Sequence, residues 1–171
     1  MNNLHHVYLN LGSNLEPEKH IPLAIELLRG VVEITAVSSV WETESVGYVG
    51  PNFLNVCALL RTSLDAERVK HEINRPIEAQ MGRIRGEDKY APRPIDIDIV
   101  LFDETPYNVQ TWNQAFVAVP LAELVPELET PSGEKLSELA KQLQGQVWIR
   151  KREDVFKYPS GTRSAAVLRL G

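Results

Sequence analysis

Two aspartates one residue apart, Asp96 and Asp98, sit in the run Ile95-Asp96-Ile97-Asp98-Ile99. Alternation with isoleucine is the period-two pattern of a strand with one buried face, so both carboxylates project from the other face. Neighbouring carboxylates repel, and a cation or a donor-rich partner between them relieves the repulsion. Mg²⁺ fits, because it is held by one or two carboxylates together with substrate phosphates. Just upstream, Arg83, Arg85, Lys89 and Arg93 form a basic loop of the residue types that clamp phosphate oxygens. Carboxylates for metal beside arginines for phosphate point to phosphoryl chemistry on a nucleotide. The alternative is a solvated strand face that carries two acids, with Arg93 as their surface partner.

Other segments carry weaker signals. No Gly-x-x-x-x-Gly-Lys-Ser/Thr loop is present, which removes the Walker mode of phosphate binding. Gly12-Ser13-Asn14, between a strand and a helix start, offers backbone donors to an anion or is simply a turn. Phe53 and Asn55 share one face of another strand; a ring for stacking and an amide with both donor and acceptor suit a flat heterocycle, while ordinary strand packing explains them equally well. His5, His6, His20 and His71 lack the spacing of a metal site. Cys57, the single cysteine, lies in the apolar run Val56–Leu60 and reads as a small buried residue. Trp41, Trp112 and Trp148 are scattered and read as core.

The elements that must hold these residues follow from patterning. Val7 to Leu11 is a strand stopped by Gly12-Ser13-Asn14. Pro17 starts an amphipathic helix through Ile21, Ala24 and Leu28 that ends at Gly30. Val31 to Trp41 is a second strand, 42 to 52 a long loop, and Phe53 to Thr62 a third strand. A second helix runs from about Asp65 to Met81 with Ser63 as its cap, and Pro76 must kink or split it. After the aspartate strand come a turn at Asp103–Pro106, a short strand within Tyr107–Trp112, helices at Pro120–Leu124 and Ser137–Leu143, and a last strand at Val147–Ile149. Strand, helix, strand, strand, helix, strand is the split βαβ order, so the expected class is α+β with a ferredoxin-like βαββαβ core and an antiparallel sheet.

The chain has 171 residues, 43% hydrophobic and 24% charged, which fits one domain over 1–171 with residues 150–171 as a C-terminal extension. A formal net charge of −5 argues against nucleic acid as a partner, so the basic residues matter where they cluster. No apolar run reaches the roughly 20 residues of a membrane span, and no signal-peptide pattern opens the chain, so a cytoplasmic location without membrane contact is expected. An RNA-binding ferredoxin-like module shares the topology, but its strand would not carry two acids toward phosphates.

Together these segments resemble the 6-hydroxymethyl-7,8-dihydropterin pyrophosphokinase family. The likeness rests on Leu11-Gly12-Ser13-Asn14-Leu15, Phe53-Leu54-Asn55, Gly82-Arg83-Ile84-Arg85 and the run Pro92 to Phe102, which is similar to Pro-Arg-x-hydrophobic-Asp-hydrophobic-Asp. The resemblance implies transfer of pyrophosphate from ATP to a pterin alcohol, with Asp96 and Asp98 holding two Mg²⁺ ions. It implies phosphate-side roles for Arg83, Arg85 and Arg93, a nucleotide-side role for Glu78, and a pterin pocket of Thr43, Phe53, Asn55, Tyr90 and Phe116. ATP and a pterin are the implied partners, and a monomer or weak homodimer the implied state. One segment departs from the family. Between Asp103 and Phe116 there is no histidine, Gln114 stands where the family has an arginine, and Lys151 or Arg152 are candidate replacements. A pterin- or nucleotide-binding relative with altered kinase activity is the alternative.

Overall fold

The structure, a computed structural model, describes residues 3–86, 88–156 and the strand at 167–169. Four strands build the core sheet: β1 (His5–Ser13), β2 (Glu33–Ser38), β4 (Phe53–Thr62) and β5 (Asp96–Phe102), while the short β3 (Val40–Thr43) branches from β4. Their order is β5-β1-β4-β2, antiparallel throughout, which is the expected ferredoxin-like arrangement. A two-residue strand β6 (Thr105–Pro106) extends the β5 edge. At the other side β7 (Ile149–Arg152) pairs with β3, and β8 (Val167–Arg169) pairs with β2.

β1 lies at the centre and is buried on both faces, which explains its almost unbroken apolar run. Val7, Leu9 and Leu11 pack toward α1 (Pro17–Arg29), with Ile21, Ala24, Ile25 and Leu28 of that helix in the same core. The opposite face carries Tyr8, Trp41, Cys57 and Val100 under α4 (Ala115–Leu124) and α5 (Leu136–Gln144). These two helices cover only part of that face. The uncovered part becomes the site.

Several boundaries differ from the patterning for identifiable reasons. The strand expected over Val31–Trp41 starts at Glu33 and breaks at Ser39, because the Ser38 hydroxyl accepts the Cys57 amide at 2.8 Å in place of a ladder bond. Asp65, not Ser63, caps the next helix, accepting from the Arg68 amide at 2.9 Å. That helix is α2 (Ala66–Arg68), a wide π turn at Val69–Asn74, then α3 (Arg75–Gln80). The widened turn sits where the ring of Pro76 would collide with a regular helix. Tyr107–Trp112 holds a 3₁₀ turn at Val109–Thr111 rather than a strand, and the Trp112 indole is tied to the carbonyls of Val100 and Tyr107. Trp41 and Trp112 are core, but Trp148 is 46% exposed, and the last strand near it begins at Ile149. Of the expected C-terminal extension, residues 157–166, 170 and 171 lie outside the described residues.

One carboxylate fixes α4 over the sheet. The Glu123 carboxylate accepts from the Trp41 indole N–H at 2.6 Å and from the Ser39 amide at 2.8 Å, across the strand break. A charged acceptor of this kind contributes about 1.5–3 kcal/mol per bond. Glu123→Ala is therefore expected to lower unfolding free energy by about 2–4 kcal/mol in urea melts, and a loss below about 0.5 kcal/mol would show that α4 is held by apolar packing alone.

Candidate active site

The register of the sheet builds the site. Gly12 on β1 pairs with Asn55 on β4 and with Asp96 on β5; two residues back, Asn10 pairs with Cys57 and Asp98. Cross-strand partners share a face, so Asp96, Asp98, Asn10 and Asn55 all point to the side that α4 leaves open. They line a cavity of about 490 Å³ together with Thr43, Phe53, Tyr48, Lys89, Tyr90, Arg93, Thr111 and Phe116.

One end of the cavity is a slot for a flat ring. Phe53 comes from β4 and Phe116 from the first turn of α4. The Asn55 amide donates to the Thr43 hydroxyl at 2.9 Å and the Trp41 carbonyl at 3.3 Å. Its oxygen thereby lies against Gly12, where an added Cβ would come within 3.3 Å of it and 3.7 Å of the Phe53 ring. Glycine at 12 keeps the floor of the slot open between the amide and the acids.

The other end is charged. Arg83 Nε donates to one oxygen of Asp96 at 2.8 Å and Arg93 Nη1 to the other at 2.7 Å. Arg85 pairs with Glu78 at 3.0 Å, and Glu78, 2% exposed, also accepts the Ile97 amide at 3.1 Å. Glu78 thus pins the open edge of β5 between the two aspartates. Asp98 has no hydrogen-bond or ion-pair partner among the described residues. Asp98 is exposed toward the cavity, yet the protein around its carboxyl displaces enough water to push it above the ordinary carboxylate range, helped by the charges of Asp96 and Glu78 and opposed by Arg85 and Arg75.

Two loops close over this floor and meet at Asn14. The amides of Asn14 and Leu15 donate to the Arg93 carbonyl at 3.1 and 3.2 Å, and the Asn14 side chain accepts the Arg93 amide at 2.6 Å. The segment at the end of β1, Asn14 and Leu15, is therefore a clasp on the basic loop, and the Asn14 amide, one of those considered as an anion cradle, is already paired. Asn14 Nδ2 also donates to the Tyr48 hydroxyl at 3.3 Å, and the Tyr48 ring lies 4.6 Å from that of Tyr90. Lys89 Nζ stands 4.9 Å over the Tyr90 ring.

Of the residues proposed from sequence, Thr43, Phe53, Asn55, Tyr90, Arg93, Asp96, Asp98 and Phe116 line the cavity; Arg83 reaches it through Asp96, while Arg85 and Glu78 form a buried-edge pair beside it. Lys151 and Arg152 do not line it. Lys151 lies 5.2 Å over the Trp41 ring, and Arg152 is occupied by Glu42, Glu18 and Asp154. Gln114 caps α4 through its backbone carbonyl. Sequence reasoning missed Asn10, Tyr48 and Arg75. Of these only Asn10 left a trace, as a polar residue on the same face as Gly12 in an otherwise apolar strand.

Among the described residues no three histidine, cysteine or acidic side chains converge on one point. An unpaired carboxylate beside a second one suits Mg²⁺, which completes its shell with water and phosphate oxygens.

The family model described as 7,8-dihydro-6-hydroxymethylpterin-pyrophosphokinase (HPPK) matches residues 8–126. A 2-amino-4-hydroxy-6-hydroxymethyldihydropteridine pyrophosphokinase of Bacillus subtilis is 34% identical over 165 residues, covering 88% of this chain and 93% of its own. That of Pseudomonas aeruginosa is 35% identical over 147 residues, 78% of this chain and 88% of its own. Among solved structures, wild-type HPPK-DHPS of Plasmodium falciparum with SDX-DHP superposes with a TM-score of 0.65 at 12% identity, over 85% of this chain. The chain spans 45% of that longer protein.

The two aspartates are expected to behave oppositely on removal. A raised folded pKa means that ionised Asp98 opposes folding, and this opposition grows as pH rises from the ordinary carboxylate value through the folded one. Ligand-free Asp98→Asn should thus melt at or above the parent temperature at neutral pH, with a flatter profile as pH rises above the ordinary carboxylate range. Asp96→Asn, which weakens two arginine pairs, should lose about 1–3 kcal/mol. Loss of stability in Asp98→Asn at neutral pH would contradict the assignment.

Proposed function

The chain belongs to the 7,8-dihydro-6-hydroxymethylpterin-pyrophosphokinase family, and from that membership we propose how its residues divide the reaction. The reaction is transfer of pyrophosphate from ATP to 6-hydroxymethyl-7,8-dihydropterin, with release of AMP, a step of folate biosynthesis. The observation that carries the residue assignment is the row Asp96–Gly12–Asn55 across three strands. It sets a ring slot and a metal-type acid pair on one floor with no side chain between them.

Phe53 and Phe116 take the two faces of the pterin, while Thr43 and Asn55 read its edge; the Asn55 oxygen, fixed by its amide bonds, accepts a ring N–H. Tyr90 covers the slot from the loop. A ring seated there directs its hydroxymethyl group past Gly12 toward Asp96 and Asp98. These two carboxylates hold Mg²⁺, two ions in this proposal. When bound, the metal neutralises phosphate charge and favours the ionised form of the attacking hydroxyl.

The arginines change partners. Arg83 and Arg93, on Asp96 in the ligand-free protein, would turn to the phosphate oxygens if Asp96 came to serve as a ligand for Mg²⁺. Arg85 remains on Glu78 at the nucleotide side, and Glu78 keeps β5 in register. The hydroxymethyl oxygen then displaces AMP from the β-phosphorus in line, with no covalent protein intermediate. One functional unit over residues 1–171, acting in the cytoplasm as a monomer or weak homodimer, completes the proposal.

The test is product identity combined with variants. The protein with Mg²⁺, ATP and hydroxymethyl-dihydropterin should release AMP, resolved from ADP by ion-exchange chromatography. Asp96→Asn and Asp98→Asn should each lower kcat on the order of 10²–10³-fold or more. Formation of ADP, or near-normal turnover in either variant, would remove the assignment.

A further inference from the structure

Asn10 occupies the centre of the sheet, on the same face as the aspartates and directly opposite Asp98 in the β1–β5 register. It is 7% exposed and borders the cavity. Its carboxamide oxygen is buried with no hydrogen-bond partner. Buried acceptors are nearly always paired, so an orphan beside a cavity needs an explanation.

The neighbours on its own face do not supply a donor. Gly12, two residues along, has no side chain, and Tyr8, two residues back, forms no bond to it. Cys57, opposite on β4, is a buried thiol and a weak donor, again without a bond to Asn10. Asp98, on the other side, is an acceptor without a donor of its own when ionised. Cross-strand partners bring their Cβ atoms to about 5 Å, so Asn10 and Asp98, which both line the cavity, are neighbours on one face. A species that carries both positive charge and several donors fits between them, and a hydrated Mg²⁺ ion, which keeps several of its waters, is such a species. The ring slot has its own edge-reading groups in Thr43 and Asn55, on the far side of Gly12.

We propose that Asn10 is a positioning residue for the metal: its carboxamide oxygen accepts a hydrogen bond from water bound to the cation that Asp98 holds. The proposal rests on the metal assignment to Asp96 and Asp98 made above. An outer contact of this kind orients the metal shell and typically accounts for about 10–100-fold in metal affinity.

Calorimetric titration of Mg²⁺ into protein saturated with α,β-methylene-ATP separates the possibilities, with Asn10→Ala and Asp98→Asn compared against the parent. Asn10→Ala should weaken Mg²⁺ binding about tenfold and leave pterin affinity unchanged when Mg²⁺ and nucleotide are absent. Ligand-free Asn10→Ala should also melt no lower than the parent, since the acceptor it removes has no partner. Unchanged Mg²⁺ affinity, a loss of metal-free pterin binding, or a lower melting temperature in Asn10→Ala would each overturn the proposal. The first leaves Asn10 without a metal role, the second assigns its oxygen to a ring donor, and the third makes it a structural amide. Unchanged Mg²⁺ affinity in Asp98→Asn would instead overturn the metal assignment itself.

Discussion

The fork of Arg83 and Arg93 on Asp96 is the interaction on which the rest of the site depends. Three charged side chains, each less than a third exposed, are brought to 2.7–2.8 Å by a loop and a strand that are otherwise separate. Without the arginines, Asp96, Asp98 and Glu78 would place three carboxylates at one end of the sheet, and the folded state would bear their mutual repulsion. With them, one acid is neutralised, a second is paired with Arg85, and of the three the Asp98 carboxylate is left without an ion-pair partner among the described residues. A magnesium nucleotide arrives with a dication and a polyanion. Under the proposed roles, carboxylate would pass to the metal and guanidinium to the phosphates with no charge left unpaired, so binding would exchange contacts rather than add them to an empty surface.

This exchange requires that the loop be held close and yet be able to shift. The clasp at Asn14 does the holding through backbone groups of Arg93, so the Arg93 side chain can change partner while its main chain stays fixed to β1. Tyr48 and Tyr90, in tilted ring contact across the mouth, join the long loop after β3 to the basic loop and put both lids under the control of the same asparagine. Below them the sheet is rigid. β1 is buried on both sides, Glu78 pins β5, and Glu123 pins α4, so Phe116, Phe53 and the acids keep their spacing whatever the loops do.

Much of this could be read from the sequence because it follows from period and residue type. Alternation at Ile95–Ile99 placed both aspartates on one face, and Phe53 to Thr62 appeared as a strand with the right ends. The helix ended by Gly30 was equally plain. What stayed hidden depends on contacts between segments far apart in the chain. The π turn before Pro76 is a packing compromise that propensity cannot rank against a simple kink, and the break at Ser39 is made by a side chain bonding across to Cys57. Trp148 looked like core because aromatic residues usually are, yet it stands half-exposed just before β7. The partners of the basic residues were least visible: Arg152 spends its charge on Glu42, Glu18 and Asp154, which no spacing reveals.

Arginine side-chain NMR tests the partner exchange most directly. The Nε–H signal of Arg83, bonded to Asp96 in the ligand-free protein, should be observable at neutral pH as a slowly exchanging resonance and should be lost from that position in Asp96→Asn. It should move when Mg²⁺ and α,β-methylene-ATP are added together, and far less when Mg²⁺ is added alone, because the guanidinium leaves the carboxylate only when phosphate is there to receive it. An Arg83 signal that stays in place in the fully loaded protein while turnover is normal would contradict the account, since Asp96 would then serve the arginines throughout and not the metal.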